Sequence, residues 1–136
     1  MFLSIISLLT GVGILFWGIN FLFSKEYFLY HSEATRISWN DIDEKLKYIL
    51  LVFMKVIGVG SITISIFIIS TVIYLIYNEN EFIQSLIFFI TSLYLLGLFL
   101  ISYSVFIKTK ANTPWKRMLF WFVINFSGFL ISILLL

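Results

Sequence analysis

Four predominantly apolar runs, Phe2 to Phe23, Val56 to Tyr77, Phe82 to Ile107 and Met118 to Leu136, take up most of the chain, and no Asp, Glu, Lys or Arg falls inside any of them. An α-helix needs about 20 such residues to cross a hydrocarbon layer of about 30 Å. With 61% hydrophobic and 12% charged residues, the chain is far more apolar than the roughly 45–50% of an ordinary soluble domain. The expected fold is therefore all-α, a single membrane domain with spans at about 2–23, 56–77, 82–107 and 116–136. The first run has no basic segment before it and no small-x-small site before Lys25, so it reads as a retained span and not a cleaved signal peptide. Cysteine is absent, which excludes disulfides, thiolate metal sites and Cys-x-x-Cys redox chemistry.

All nine Lys and Arg residues lie in two stretches, Lys25 to Lys55 and Lys108 to Arg117. Loops rich in Lys and Arg stay on the cytoplasmic side. The expected topology thus has both termini outside, two cytoplasmic basic loops, and an outer link, Asn78 to Glu81, without a base. The first basic loop also carries Glu26, Glu33, Asp41, Asp43 and Glu44, but the rule counts bases and not net charge. The spans then form two antiparallel hairpins without a clear sequence repeat. The short outer link makes spans two and three neighbours. Because the sequence stops at Leu134-Leu135-Leu136, the terminal carboxylate is expected to form the outer polar end of the fourth span.

Ser38-Trp39-Asn40-Asp41 reads as a capping box. Apolar residues then recur at Trp39, Ile42, Leu46, Ile49, Leu50 and Phe53, one face of a helix. This predicts a cytoplasmic amphipathic helix over about 38–55, braced by Asp41–Lys45 and Asp43–Lys47 pairs. The helix leads into the second span and either projects into the cytoplasm or, as its apolar stripe favours, bends near Gly58 and Gly60 so that its first half lies along the membrane surface. In the other basic loop, Thr113 is a suitable N-cap, Pro114 suits the first helical position and Trp115 suits headgroup depth. Lys108, Lys110, Lys116 and Arg117 beside them carry no acid and are expected to attract anionic lipid headgroups.

The spans lack the intramembrane carboxylate through which ion-coupled carriers bind and release their ion. Lys55, between Met54 and Val56, reads as a lysine snorkelling to the cytoplasmic interface. Asn20, Gln84 and Asn125 are the most notable uncharged polar residues. Asn125, Gly128 and Ser132 share a face of the fourth span, Ser4, Gly11 and Gly18 recur every seven residues on the first, and Ser61 and Ser65 sit four apart on the second. Small and polar residues of this kind pack helix against helix, so Asn20 and Asn125 are expected inside the bundle. His31, the only histidine, lacks a second nitrogen or sulfur ligand and a companion nucleophile. With Tyr30 it reads as an interfacial hydrogen-bonding group.

Tyr30-His31, Trp39, the run Met54 to Gly60 and the segment Thr109 to Trp115 resemble a pattern in small four-span bacterial integral membrane proteins that have no assigned activity. The resemblance implies four helices in a bacterial plasma membrane and carries over no activity, cofactor or catalytic residue. The expected function is non-enzymatic, through contact with lipid, a membrane-protein partner or a second copy of the chain, as an accessory subunit or protective factor. The candidate interface residues are Tyr30, His31, Trp39, Lys55 and Trp115. No catalytic residue, cofactor, metal or nucleic-acid partner is expected. The alternatives are a small transporter or channel lined by Asn20, Asn125 and the Ser/Thr-rich second span and, behind it, a lipid-modifying enzyme using His31, Glu33 and Asp41.

Overall fold

A computed structural model describes residues 2–134 of the chain; among them are five α-helices, one 3₁₀ turn and no strand. The helices are α1 (Phe2–Phe23), α2 (Leu29–Thr35), α3 (Glu44–Tyr77), α4 (Glu81–Thr109) and α5 (Trp115–Leu134), and the 3₁₀ turn is Trp39–Asp41. Four of them, α1, α3, α4 and α5, are long and apolar enough to cross a membrane. The expectation for the terminal carboxylate concerns Leu136, outside the described residues.

Each long helix buries one narrow stripe. On α3 it is Met54, Gly58, Ser61, Ser65, Ile68, Val72 and Leu75, an alternation of four- and three-residue steps that keeps a 3.5-residue repeat against a neighbour. Ser85, Phe88, Ser92 and Leu95 follow the same rule on α4, as do Asn125, Gly128 and Ser132 on α5. The long helices associate mainly as α1 with α3 and α4 with α5. α3 and α4, though joined by three residues, touch less, meeting where the Ser61 and Tyr94 hydroxyls lie 2.7 Å apart and where Ile68, Val72 and Leu75 share a core with Ile87.

The α1–α3 seam depends on missing side chains. A Cβ at Gly58 would stand 2.6 Å from the Leu22 nitrogen and 2.9 Å from the Gly18 carbonyl oxygen, and one at Gly18 would stand 3.0 Å from the Gly58 oxygen. Higher along the seam, Gly11 packs on Ile68 and Ile69, and its carbonyl accepts the Ser65 hydroxyl at 2.7 Å. The sevenfold spacing of Gly11 and Gly18 thus marks a true contact face. Ile14, Ile68, Val72, Leu75 and Ile87 fill one apolar core, and Phe21, Tyr27, Ile42 and Met54 a second at the other end of α1.

Four expectations need correction. α3 begins at Glu44, not Ser38: Asp43 caps it by accepting the Lys45 and Leu46 amides, whereas Ser38 makes no side-chain cap and Ile42 is extended. Asp43 sits next to the helix, so its carboxylate satisfies free first-turn N–H groups that Ser38 cannot reach. The predicted bend does not interrupt the helix, which stays continuous through Gly58 and Gly60 for 34 residues. Of the predicted ion pairs neither forms; Lys47 pairs with Glu44 at 3.2 Å, because Asp43 is occupied as the cap. Finally, Thr113 does not cap α5. Its hydroxyl donates to the Ser102 carbonyl at 2.9 Å, and the Pro114 carbonyl accepts the first helical amides.

Gly58 and Gly60 provide a matched test, since a Cβ at Gly60 meets nothing within 4 Å. Gly58→Ala is expected to lower stability by about 1–3 kcal/mol through overpacking, whereas Gly60→Ala should be neutral or gain about 0.5–1 kcal/mol of helix propensity. Thermal unfolding of the detergent-purified variants reads both.

Candidate functional site

The chain that joins α1 to α3 folds back on itself because of an aromatic cluster. Tyr27 is buried, and its hydroxyl donates to the Ile37 carbonyl ten residues on. Its ring meets Trp39 edge-on at 4.9 Å and His31 at 5.8 Å, while Phe28 lies 4.8 Å from Phe21 of α1. Such pairs favour edge-to-face geometry and order the segment without regular structure. Beside them lies a recess of about 510 Å³ bordered by Ser24, Glu26, Tyr27, Phe28 and Trp39.

His31 occupies the third position of α2, and its Nδ1 accepts the Phe28 amide at 3.2 Å. This is half of a capping box, with the imidazole where Glu or Gln usually stands. The acceptor must be unprotonated, and burial lowers the His31 pKa from its ordinary value, so the ring is neutral at pH 7. Tyr30, its ring tilted against the imidazole at 4.1 Å, has its phenol pushed up to about 12 by burial. Two residues further, the Glu33 carboxylate accepts the Asn112 amide at 2.8 Å. That bond ties the two basic stretches together at one end of the molecule.

Trp115 anchors the other stretch, with its ring 5.3 Å from Tyr103, 5.5 Å from Phe106 and 6.5 Å from Phe99. Lys116 lies over Trp115 and Lys110 over Phe106, each at 5.6 Å, and Lys47 over Trp39 at 6.0 Å. Lys55 is exposed between exposed Phe53 and Val56. Among the described residues, the only ion pair is Glu44–Lys47, which leaves the other bases of this end available to outside anions.

The structure thus joins Tyr30, His31 and Trp39 in one cluster, with Trp115 in a second and Lys55 apart on α3. Of the polar residues expected inside, Asn125 is fully buried and donates to the Thr10 hydroxyl at 3.0 Å and the Trp121 carbonyl at 2.9 Å. Asn20 is not inside. It is exposed, and its amide turns back to the Phe16 carbonyl at 3.0 Å, because the buried face of α1 runs through Gly11, Ile14, Gly18 and Phe21. Thr10, Ser65, Thr91, Ser92 and Asn125 bring buried polar groups from all four long helices, and the Thr91 hydroxyl, Ser92 hydroxyl and Asn125 Oδ1 have no partner among the described residues. Sequence reading passed over Tyr27, Thr10, Thr91 and Ser92. Only Tyr27 had a local signal, an aromatic two residues beyond Lys25 at the end of a span. No group of three or more His, Cys, Asp and Glu side chains among the described residues is arranged to hold a metal.

Because the folded state disfavours the His31 proton, stability is highest above the ordinary histidine pKa. It falls as pH drops through 6.5 toward the lowered folded value. Protection of the Phe28 amide against hydrogen exchange, its rate taken relative to the intrinsic rate at each pH, should fall between pH 7 and pH 5, and the fall should vanish in His31→Gln, whose oxygen accepts without titrating. Asn125→Leu is expected to cost about 0.6–1.7 kcal/mol, the range of an interhelical hydrogen bond in a membrane protein, measured by unfolding in detergent.

No protein-family model matches the chain, and no curated protein or solved structure matches it either. The resemblance drawn from short motifs gains no support from these comparisons, and the functional reading rests on the geometry.

Proposed function

We propose that the chain is a multi-pass protein of a bacterial plasma membrane, a four-helix bundle of two antiparallel hairpins with both termini outside. Its basic end, on the cytoplasmic side, acts without catalysis by binding anionic lipid headgroups and, through them, holding a membrane-protein partner or a second copy as an accessory or protective subunit. Inverted burial supports the membrane setting. The buried stripes are rich in Gly, Ser, Thr and Asn, while Phe16, Phe23 and Phe53 are 70%, 74% and 63% exposed. Lipid tolerates such a surface and removes the hydrophobic drive between helices, so small residues carry the packing. In water the same surface would be one continuous sticky patch.

The observation that carries the functional reading is the conformation of two bases. Arg36 and Lys110, at the C-caps of α2 and α4, are the only non-glycine residues with positive φ among the described residues, at 58° and 60°. The left-handed region costs an L-residue about 1–2 kcal/mol and suits glycine. Yet the chain uses none of its seven glycines there. A base at each strained cap is favourable to the helix dipole, but it also keeps positive charge at the basic end of the molecule.

Arg36→Gly and Lys110→Gly are therefore expected to stabilise the protein in neutral detergent by up to about 1 kcal/mol. They should also reduce the stabilisation given by phosphatidylglycerol over phosphatidylcholine bilayers, by about 1 kcal/mol per base removed. Equal unfolding temperatures in the two lipids, together with a clean monomer after mild extraction, would remove the proposal. A second reading, a solute path, draws on the unpartnered Asn125 Oδ1, Thr91 and Ser92. It requires flux in liposomes that Asn125→Leu reduces, and no flux across a broad solute panel would end it.

A further inference from the structure

At the opposite end from the bases, α1, α3 and α4 do not close on one another. They leave a cavity of about 940 Å³, whose floor is Leu8, Val72 and Leu75 and whose mouth carries Glu79 and Glu81. From Tyr77, the last residue of α3, down to Val72 is five residues, which at the helical rise of 1.5 Å is roughly 7.5 Å of depth. That is about half of one leaflet of a 30 Å hydrocarbon core. The volume lies within the roughly 300–1,000 Å³ typical of small-molecule sites.

The lining selects for charge. No Lys or Arg occurs between Lys55 and Lys108, and neither Glu79 nor Glu81 is in an ion pair among the described residues. An anionic amphiphile would bring its head against two carboxylates with no Lys or Arg among the lining residues, whereas an ammonium would be attracted. The rim also selects the route. Ile5, Ile76 and Phe82 border the cavity and are 48%, 60% and 66% exposed, so its apolar wall continues into the surface that faces lipid. An occupant enters sideways from the leaflet and not from water.

We infer that this cavity is a binding site for an outer-leaflet phospholipid with an ammonium headgroup, held by Glu79 and Glu81 at the mouth with an acyl segment against Leu8, Val72 and Leu75. The inference rests on the membrane reading above and extends it to the end of the molecule that carries no base. Bound there, the lipid fills the gap between the α1–α3 pair and α4, where protein contacts are few.

The test uses the full chain in nanodiscs containing a phosphatidylethanolamine with a photoactivatable diazirine in its acyl chain, compared with a phosphatidylglycerol probe of the same chains. Labelling at Leu8, Val72 and Leu75 is expected to favour the ethanolamine probe about two- to fivefold, as an exposed charge interaction allows. The double variant Glu79→Gln/Glu81→Gln, altered only at exposed positions, should bring the two probes to parity, and Leu75→Trp should lower labelling by both. Equal labelling of the unaltered chain, a preference that survives the double variant, or labels mapped elsewhere would overturn the site. Release of the chain from native membranes by alkaline carbonate would overturn the membrane reading itself, whereas an integral chain without headgroup preference would sink this inference alone.

Discussion

The architecture depends on how closely two backbones approach at Gly18 and Gly58. In the membrane setting proposed above, lipid tails solvate leucine as well as another helix does, so association would come from close van der Waals contact and from hydrogen bonds between helices. At this crossing the Gly58 position has room for a hydrogen but not for a carbon. From that point the small-residue stripe, the Ser65 bond to the Gly11 carbonyl and the Ile14–Ile68 core follow in register along α1 and α3.

The molecule is polarised along its length. One end gathers nine bases and five acids, two aromatic clusters and the Glu33–Asn112 bond, while the other presents Glu79 and Glu81 over an apolar cavity. The two ends are built differently as well. The basic end is closed by ring stacking and backbone hydrogen bonds across chain segments, and the acidic end is left open. Between them the polar layer around Asn125 joins helices from both pairs.

Much of this was legible in the sequence because membrane packing has a strong signature. The four apolar runs coincide with the long helices, and the spacing of Asn125, Gly128 and Ser132 marks the buried face of α5. Asn20 misled because polarity alone does not say which side of a helix faces its neighbour; the phase set by Gly11, Ile14 and Gly18 places it outside. The start of α3 misled because two capping residues five apart compete, and Asp43 wins by being adjacent to the helix that forms. Glu33–Asn112, Thr91 and Ser92 were invisible for a different reason. Their roles depend on contacts 79 residues away or on the relative register of α4 and α5, which no local pattern encodes.

The grouping of α1 with α3 and of α4 with α5 also has a temporal consequence. A chain emerging from the ribosome completes the Gly18–Gly58 crossing while α4 is still being made, and domains assemble from the N-terminus onward. The Thr10 hydroxyl, bonded within α1 to the Ile6 carbonyl, gains the Asn125 amide only once the far end of the sequence has been made. The polar layer therefore cannot be complete until the last helix is in place.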